Sequence, residues 1–404
     1  MTVLKPLNLP HIFPLPTVPF PCYNPVVPAR IPDAVSESRA GILEFSMNRP
    51  PLSFSLVALA LGALAALTLS GCGGSSSSTT PQFTQMVSFG DSLSDVGTYR
   101  VGTVAALGGG EFTINGPSNE IWVQDIATAL SLPAPCAAET GLNGSAADGF
   151  NVPVTTHAGC FDYAQGGARV TNPVGPGNAL LGGSNAIIGM LTVPVATQIQ
   201  NYLAANNGKF SSTDLVTVWA GANDLFIQAD TVAAGAETPT QAAQAMGLAA
   251  TQLATYIQTE ILGQGANFVM VLNLPDVTLT PYALSLPSAD LPLITALVTT
   301  YNQALQAALA SAPSTKLMQV DIYTLSQTEA ANATTYGLTN ITTPACNLTP
   351  AANPLSSSLV CSSANLSGTN VLNYEYADTV HPTPYAHALL AKGILMQMTT
   401  QGWY

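Results

Sequence analysis

The sequence predicts an α/β fold, a three-layer α/β/α sandwich built on a mainly parallel, five-stranded sheet. Three observations carry that expectation: short Val/Ile/Leu-rich runs alternate with longer helical stretches, the runs are nearly continuous in apolar residues, and an apolar fraction of 47% supplies a large core. A strand buried on both faces reads as a continuous apolar run, as in parallel sheets covered by helices. Strands alternating with helices imply crossover connections, which put helices on both sides of the sheet. Ligands of such sheets bind beyond the carboxyl ends of the strands.

The strand candidates are Gln85–Phe89, Leu215–Trp219, Phe268–Asn273 and Leu317–Ile322, with a weaker one at Phe161–Ala164. Helical patterns cover Asn119–Leu130, Val193–Ala205, Thr240–Leu262, Leu291–Ala312 and Pro384–Thr400. In Thr240–Leu262 the apolar positions recur at three-and-four spacing, and Thr238 and Thr240 flank Pro239 at its start. Two stretches break the rhythm. Residues 131–192 are Gly/Pro/Asn-rich, and residues 326–377 form a long polar loop. Loops of that length inside a compact domain are usually functional or stapled.

The N-terminus reads as processing rather than fold. Residues 1–46 are Pro-rich and aperiodic, as expected of an upstream extension translated from an early start codon, a genuine extension being the alternative. Residues 47–71 have the pattern of a signal peptide: Met47 and Arg49 precede an uncharged apolar run, and Leu69, Ser70, Gly71 and Cys72 resemble the bacterial lipobox. Cys72 is then the lipidated residue, residues 72–83 a flexible tether, and residues 84–404 the folded domain. The apolar run is also long enough for a membrane helix. The expected location is outside the cytoplasm, lipid-anchored to a bacterial membrane (the outer one by preference), or secreted or periplasmic.

From residue 72 onward, five Lys/Arg against 19 Asp/Glu leave a net charge of −14. A field of that sign repels nucleic acid, which is excluded as a partner. Beyond Cys22 and Cys72 there remain Cys136, Cys160, Cys346 and Cys361, which permit three pairings. The sequence-local pairing, Cys136–Cys160 with Cys346–Cys361, closes two modest loops. Four free thiols are the bland alternative, and a less fitting one in an exported chain. No spacing suggests a metal site.

Four short motifs carry chemistry. Gly90-Asp91-Ser92 follows the first strand; the glycine permits a tight turn, and Ser92 stands where a helix is expected to begin. A serine there can attack a carbonyl while its own N–H stabilises the oxyanion. Gly-Asp-Ser also makes ordinary turns. Asp378 precedes His381 by three residues, so the carboxylate can accept the imidazole Nδ1–H and leave Nε2 for a serine proton. The bland reading is an Asp capping the following helix beside an unrelated His. His157 and His387 are competitors, the first without an acidic neighbour at short spacing, the second inside a helix. Gly166-Gly167 and Gly221-Ala222-Asn223-Asp224 each end a strand candidate and could aim an N–H or a side-chain amide at the same oxygen.

Ser92, Gly167, Asn223 and the Asp378/His381 pair occur in this order over almost the whole mature chain. In this the sequence resembles the GDSL, or SGNH, hydrolase family. The resemblance extends to Asn273-Leu274-Pro275-Asp276, to Tyr301-Asn302, and to Cys346 and Cys361 ahead of Asp378, which suit the lipase/esterase branch. It implies Ser92 as nucleophile, His381 as general base and then acid, and Asp378 as its orienter. Ser92 N–H, Gly167 N–H and the Asn223 amide would form the oxyanion hole. It implies no cofactor and a small-molecule or lipid ester as substrate; a membrane is expected as partner only through the lipid on Cys72, on the ground of the lipobox-like segment. A phospholipase or lipid acyltransferase of the same family, or an inactive surface-anchored binding protein, are the alternatives. An ordinary α/β-hydrolase fits poorly, because no Gly-x-Ser-x-Gly elbow occurs in mid-chain.

Overall fold

The computed structural model describes residues 80–404 of the 404-residue chain. The expected extension, signal peptide and Cys72 lie outside the described residues. The chain opens with β1 (Gln85–Gly90), α1 (Gly102–Ala106), α2 (Trp122–Ala129) and a hairpin of β2 (Glu139–Asn143) and β3 (Asn151–Thr156). Next come α3 (Gly183–Ile188), α4 (Val195–Ala205), β4 (Asp214–Trp219), α5 (Ala222–Ala233) and α6 (Pro239–Tyr256). The last part holds β5 (Phe268–Leu272), α7 (Pro281–Ser285), α8 (Leu291–Leu309), β6 (Leu317–Val320), α9 (Ile322–Ala331) and α10 (Pro384–Gln401).

β1, β4, β5 and β6 form a parallel sheet in that spatial order. The register sets Val87 beside Val216, Val216 beside Val269, and Val269 beside Leu317, an apolar row across all four strands. Because alternate residues of a strand face opposite sides, this row packs on α4, α5, α6 and α8. The residues one step along, Met86, Leu215, Met270 and Met318, face α2 and α10 on the other side. Three layers result.

The sheet has four strands rather than five. Phe161–Ala164 does run beside β1: Ser88 N–H donates to Phe161 O at 3.0 Å and Tyr163 N–H donates to Ser88 O at 2.8 Å. One more bond follows, Gln165 N–H donating to Gly90 O at 3.1 Å, but Gly90 N–H donates to Gln198 Oε1 at 2.9 Å instead of returning to this segment, and the ladder is not completed. A single parallel bridge, Ser88 to Asp162, is what remains of the fifth strand.

Helix boundaries follow local chemistry. Thr238 Oγ1 accepts from Gln241 N–H at 3.3 Å while Gln241 Oε1 accepts from Thr238 N–H at 2.9 Å, a capping box that starts α6 at Pro239. Its last expected turn, Ile257–Leu262, winds as a π-helix. The fourth strand stops at Val320 because Asp321 accepts from Thr324 N–H at 3.1 Å and caps α9. The hairpin lies inside the stretch 131–192 that reads as a loop, α9 runs from the end of a strand candidate into the stretch 326–377, and α5 falls where no element is expected.

Candidate active site

Ser92 lies just past the carboxyl end of β1. Gly90 is held from both sides by Gln198 of α4, which accepts from Gly90 N–H at 2.9 Å and donates to Gly90 O at 2.8 Å. No larger residue fits at Gly90, since a Cβ would stand 2.3 Å from Trp219 O of the neighbouring strand. The expected helix after Ser92 is absent. Asp91 Oδ1 accepts from Leu93 N–H, and Asp95 Oδ1 accepts from Gly97 and Thr98 N–H, so Asp95 takes amides that a helix would donate to its own carbonyls. The chain runs through turns instead, and no helix dipole assists the serine.

Asp378 and His381 arrive from the far end of the sequence. His381 Nε2 is 2.8 Å from Ser92 Oγ, and Nδ1 is 2.8 and 2.9 Å from the two Asp378 oxygens. The carboxylate also accepts from Val380, His381 and Ser358 N–H at 3.0, 2.8 and 2.9 Å. Burial works against its ionisation. The facing imidazole and these donors outweigh that and hold the carboxyl well below the usual carboxylate range. An ionised Asp378 only accepts, so the proton of the imidazole sits on Nδ1 and the Nε2 lone pair faces the serine hydroxyl. Asp378 is therefore not the helix cap; Thr383 does that, its Oγ1 accepting from Ala386 N–H at 3.2 Å.

Gly167 has φ +79°, a left-handed conformation that suits glycine, and a Cβ there would stand 2.1 Å from Pro176 O. Among the described residues, neither Ser92 N–H nor Gly167 N–H donates a hydrogen bond. Asn223, in the first turn of α5, is buried and donates from Nδ2 to Ala168 O at 2.9 Å. That leaves its second amide hydrogen. Beside it, Asp224 accepts from Arg169 Nε and Val170 N–H, both at 2.9 Å, fastening the glycine turn to α5.

Three supporting residues escaped the sequence reading. Asp95 Oδ2 accepts from Gly166 N–H at 2.9 Å, joining the serine turn to the glycine turn. Phe112 stands 5.0 Å from the His381 ring, and a Cβ at Gly166 would meet its edge at 2.2 Å. Asn115, buried, donates to Ser358 O and Cys361 O and so ties the Phe112 segment to the one that binds Asp378. The sequence holds no local signal for these, except that Asp95 lies three residues after the serine. Burial pushes Asp91 up to about 7 and Asp95 up to about 6, against the N–H groups that they accept.

The competing histidines are elsewhere in function. His157 Nε2 pairs with Thr140 Oγ1 at 2.8 Å in the hairpin. His387 is wholly buried in α10, and burial lowers it to about 3. Both expected disulfides are present, Cys136–Cys160 and Cys346–Cys361. Among the described residues, no group of three or more His, Cys, Asp or Glu converges so as to hold a metal ion, and no helix is long and apolar enough to cross a membrane.

A four-stranded parallel sheet with helices on both faces and a Ser–His–Asp chain beyond β1 defines an α/β protein of the SGNH-hydrolase type. The chain belongs to the GDSL-like lipase/acylhydrolase family, whose model matches residues 86–394. Among solved structures it is similar to LAE5, described as an alpha/beta hydrolase enzyme from the metagenome of Lake Arreo, Spain. That match has 12% identity, covers 81% of this chain and 98% of the other, and has a TM-score of 0.37. A lipase/acylhydrolase from Enterococcus faecalis matches at 12% identity over 79% of this chain and 97% of the other, with a TM-score of 0.32. No curated protein matches the chain. Membership of the family makes this chain a hydrolase of ester bonds.

Proposed function

We propose that the chain is an exported carboxylic ester hydrolase that works through an acyl-enzyme on Ser92. The observation that carries this reading is the 2.8 Å contact between Ser92 Oγ and His381 Nε2, with Nδ1 of the same ring on the Asp378 carboxylate. Ser92 Oγ attacks the carbonyl carbon as Nε2 takes its proton. The imidazolium, stabilised by Asp378, returns that proton to the leaving alcohol. Water then attacks the acyl-enzyme with His381 as base, and Ser92 is released. Ser92 N–H, Gly167 N–H and the Asn223 amide receive the oxyanion, each donor contributing about 2.7–4 kcal/mol in the transition state. None of these steps draws on a cofactor.

The substrate is a small-molecule or lipid ester. Two disulfides suit an oxidising compartment, and Cys72 in its lipobox-like setting is the proposed attachment point for lipid. A fluorophosphonate probe should label the native chain and leave Ser92→Ala unlabelled; equal labelling of both would remove the mechanism. A series of nitrophenyl esters of rising acyl length then identifies the preferred acyl group. Replacing Cys72 by Ser should release the protein from the membrane fraction.

A further inference from the structure

From the glycine turn through the end of α4, residues 171–208 carry no charged side chain, in a chain whose net charge is −13. The first part of this stretch is a loop rooted on the proposed oxyanion turn. Pro176 O covers Gly167, and Asn178 Nδ2 donates to Thr192 Oγ1 at 2.8 Å, whose hydroxyl donates in turn to Pro173 O at 2.7 Å. Met190 N–H donates to Gly177 O at 2.9 Å and closes the neck of the loop.

Above that neck, Asn178 Oδ1 accepts from Leu180 N–H at 3.0 Å and caps a single helical turn, Ala179–Leu181. The cap holds two leucines outward: Leu180 is 81% exposed and Leu181 43%. Gly182 and Gly183 follow, both with positive φ, and a Cβ at either would meet nothing. Adjacent leucines held in water by a defined cap cost free energy unless something apolar receives them.

We propose that this loop docks the enzyme on a neutral lipid–water surface, with Leu180 and Leu181 entering the acyl layer beside the site. A second copy of the chain is a poor occupant. Two leucines offer far less than the roughly 1,200 Å² that a stable interface buries, and equal negative charges repel. The same charge disfavours an anionic surface, and the uncharged loop fits a neutral one. The proposal rests on the ester-hydrolase reading for its purpose, though not for its test.

The test uses the full chain. All three native tryptophans, Trp122, Trp219 and Trp403, are buried, so an introduced indole reports its own surroundings. In a Ser92→Ala background, Leu180→Trp should be quenched and blue-shifted by phosphatidylcholine vesicles with brominated acyl chains. Leu248→Trp, at an exposed position of α6, should not be. An unquenched indole at position 180, or equal quenching at both, overturns the proposal. In the active chain, Leu180→Ser with Leu181→Ser should cut turnover of emulsified tributyrin about tenfold or more and leave dissolved tributyrin unaffected. Equal loss on both forms would mean that the leucines serve the acyl site instead, and overturns it. So does a dimer of the native chain that this double substitution dissolves. If the native chain cleaves neither form, the functional reading fails and the vesicle measurement still decides this one.

Discussion

Ser92 and the Asp378–His381 pair meet at 2.8 Å, yet they are held by different kinds of structure. Ser92 stands two residues beyond a strand whose neighbours are fixed by a parallel ladder and by Gln198. Asp378 and His381 stand at the end of a stretch with little regular structure, residues 332–383. There the ordering comes from individual bonds. Cys346 N–H donates to Ala377 O at 2.9 Å, next to Asp378, while Ser358, three residues before Cys361, donates to the Asp378 carboxylate. The Cys346–Cys361 disulfide thus joins the two segments that grip the acid. The other disulfide, Cys136–Cys160, braces the hairpin side and touches none of these groups. A sheet positions its end residues cooperatively, whereas a loop needs a separate restraint for each degree of freedom.

The largest expected effect is on the loop side. Asp378→Asn keeps the shape but removes the acceptor that fixes the tautomer, and kcat for ester hydrolysis should fall about 10⁴-fold with the far-ultraviolet spectrum unchanged. A loss below tenfold would mean that the carboxylate only serves the fold.

Next comes a paired experiment on the disulfides. Replacing Cys346 and Cys361 by Ala, or Cys136 and Cys160 by Ala, should cost about 3 kcal/mol of unfolding free energy in either case. Only the first pair should also lower kcat in the folded protein, measured at a temperature well below both transitions. Equal kcat losses would erase the distinction between the two regions.

Phe112 sharpens the comparison, because it comes from the first part of the chain and supports a residue of the last. Phe112→Ala should lower kcat about tenfold with KM little changed, by loosening His381 without touching the nucleophile. Phe112→Tyr should restore most of it. A change in KM alone would make the ring part of the substrate pocket.

The smallest effect concerns stability. Glu329 is buried at the end of α9 and Glu375 is half-buried in the loop that follows; burial, together with the repulsion of Glu375, raises Glu329 to about 8, and burial raises Glu375 to about 7. A carboxyl whose folded pKa is raised binds more protons folded than unfolded. Its contribution to stability is therefore full below its unfolded pKa and is lost as pH rises through the folded value. Thermal stability should fall between about pH 4 and pH 8. Glu329→Gln should flatten that fall and raise Tm at alkaline pH by about 1–2 °C, the shift that 1 kcal/mol produces in a domain of about 320 residues. An unchanged pH profile would place the titrating groups elsewhere.

How far the sequence could be read varied with the range of the forces. The four ladder strands were legible because burial on both faces demands continuous apolar runs. α5 and α9 were not, since each begins directly after a strand, at Ala222 and Ile322, and the strand pattern overran or hid the boundary. The fifth strand had a pattern without a ladder to join. In the site, Ser92, Gly167, Asn223, Asp378 and His381 stand in short motifs and could be named. Asp95, Phe112 and Asn115 act through partners 71, 269 and 246 residues away, for which no periodicity exists.

By itself the sequence determined the layer architecture and the order of the chemical groups along the chain, because these depend on local pattern and composition, whereas it left three cysteine pairings open and the fold chose among them. Only the tertiary structure decided that Ser92 faces His381, which tautomer the imidazole holds, and that the serine turn lacks a helix. Those outcomes turn on hydrogen bonds between segments nearly 290 residues apart, and such bonds form only once the sheet has fixed where each strand ends.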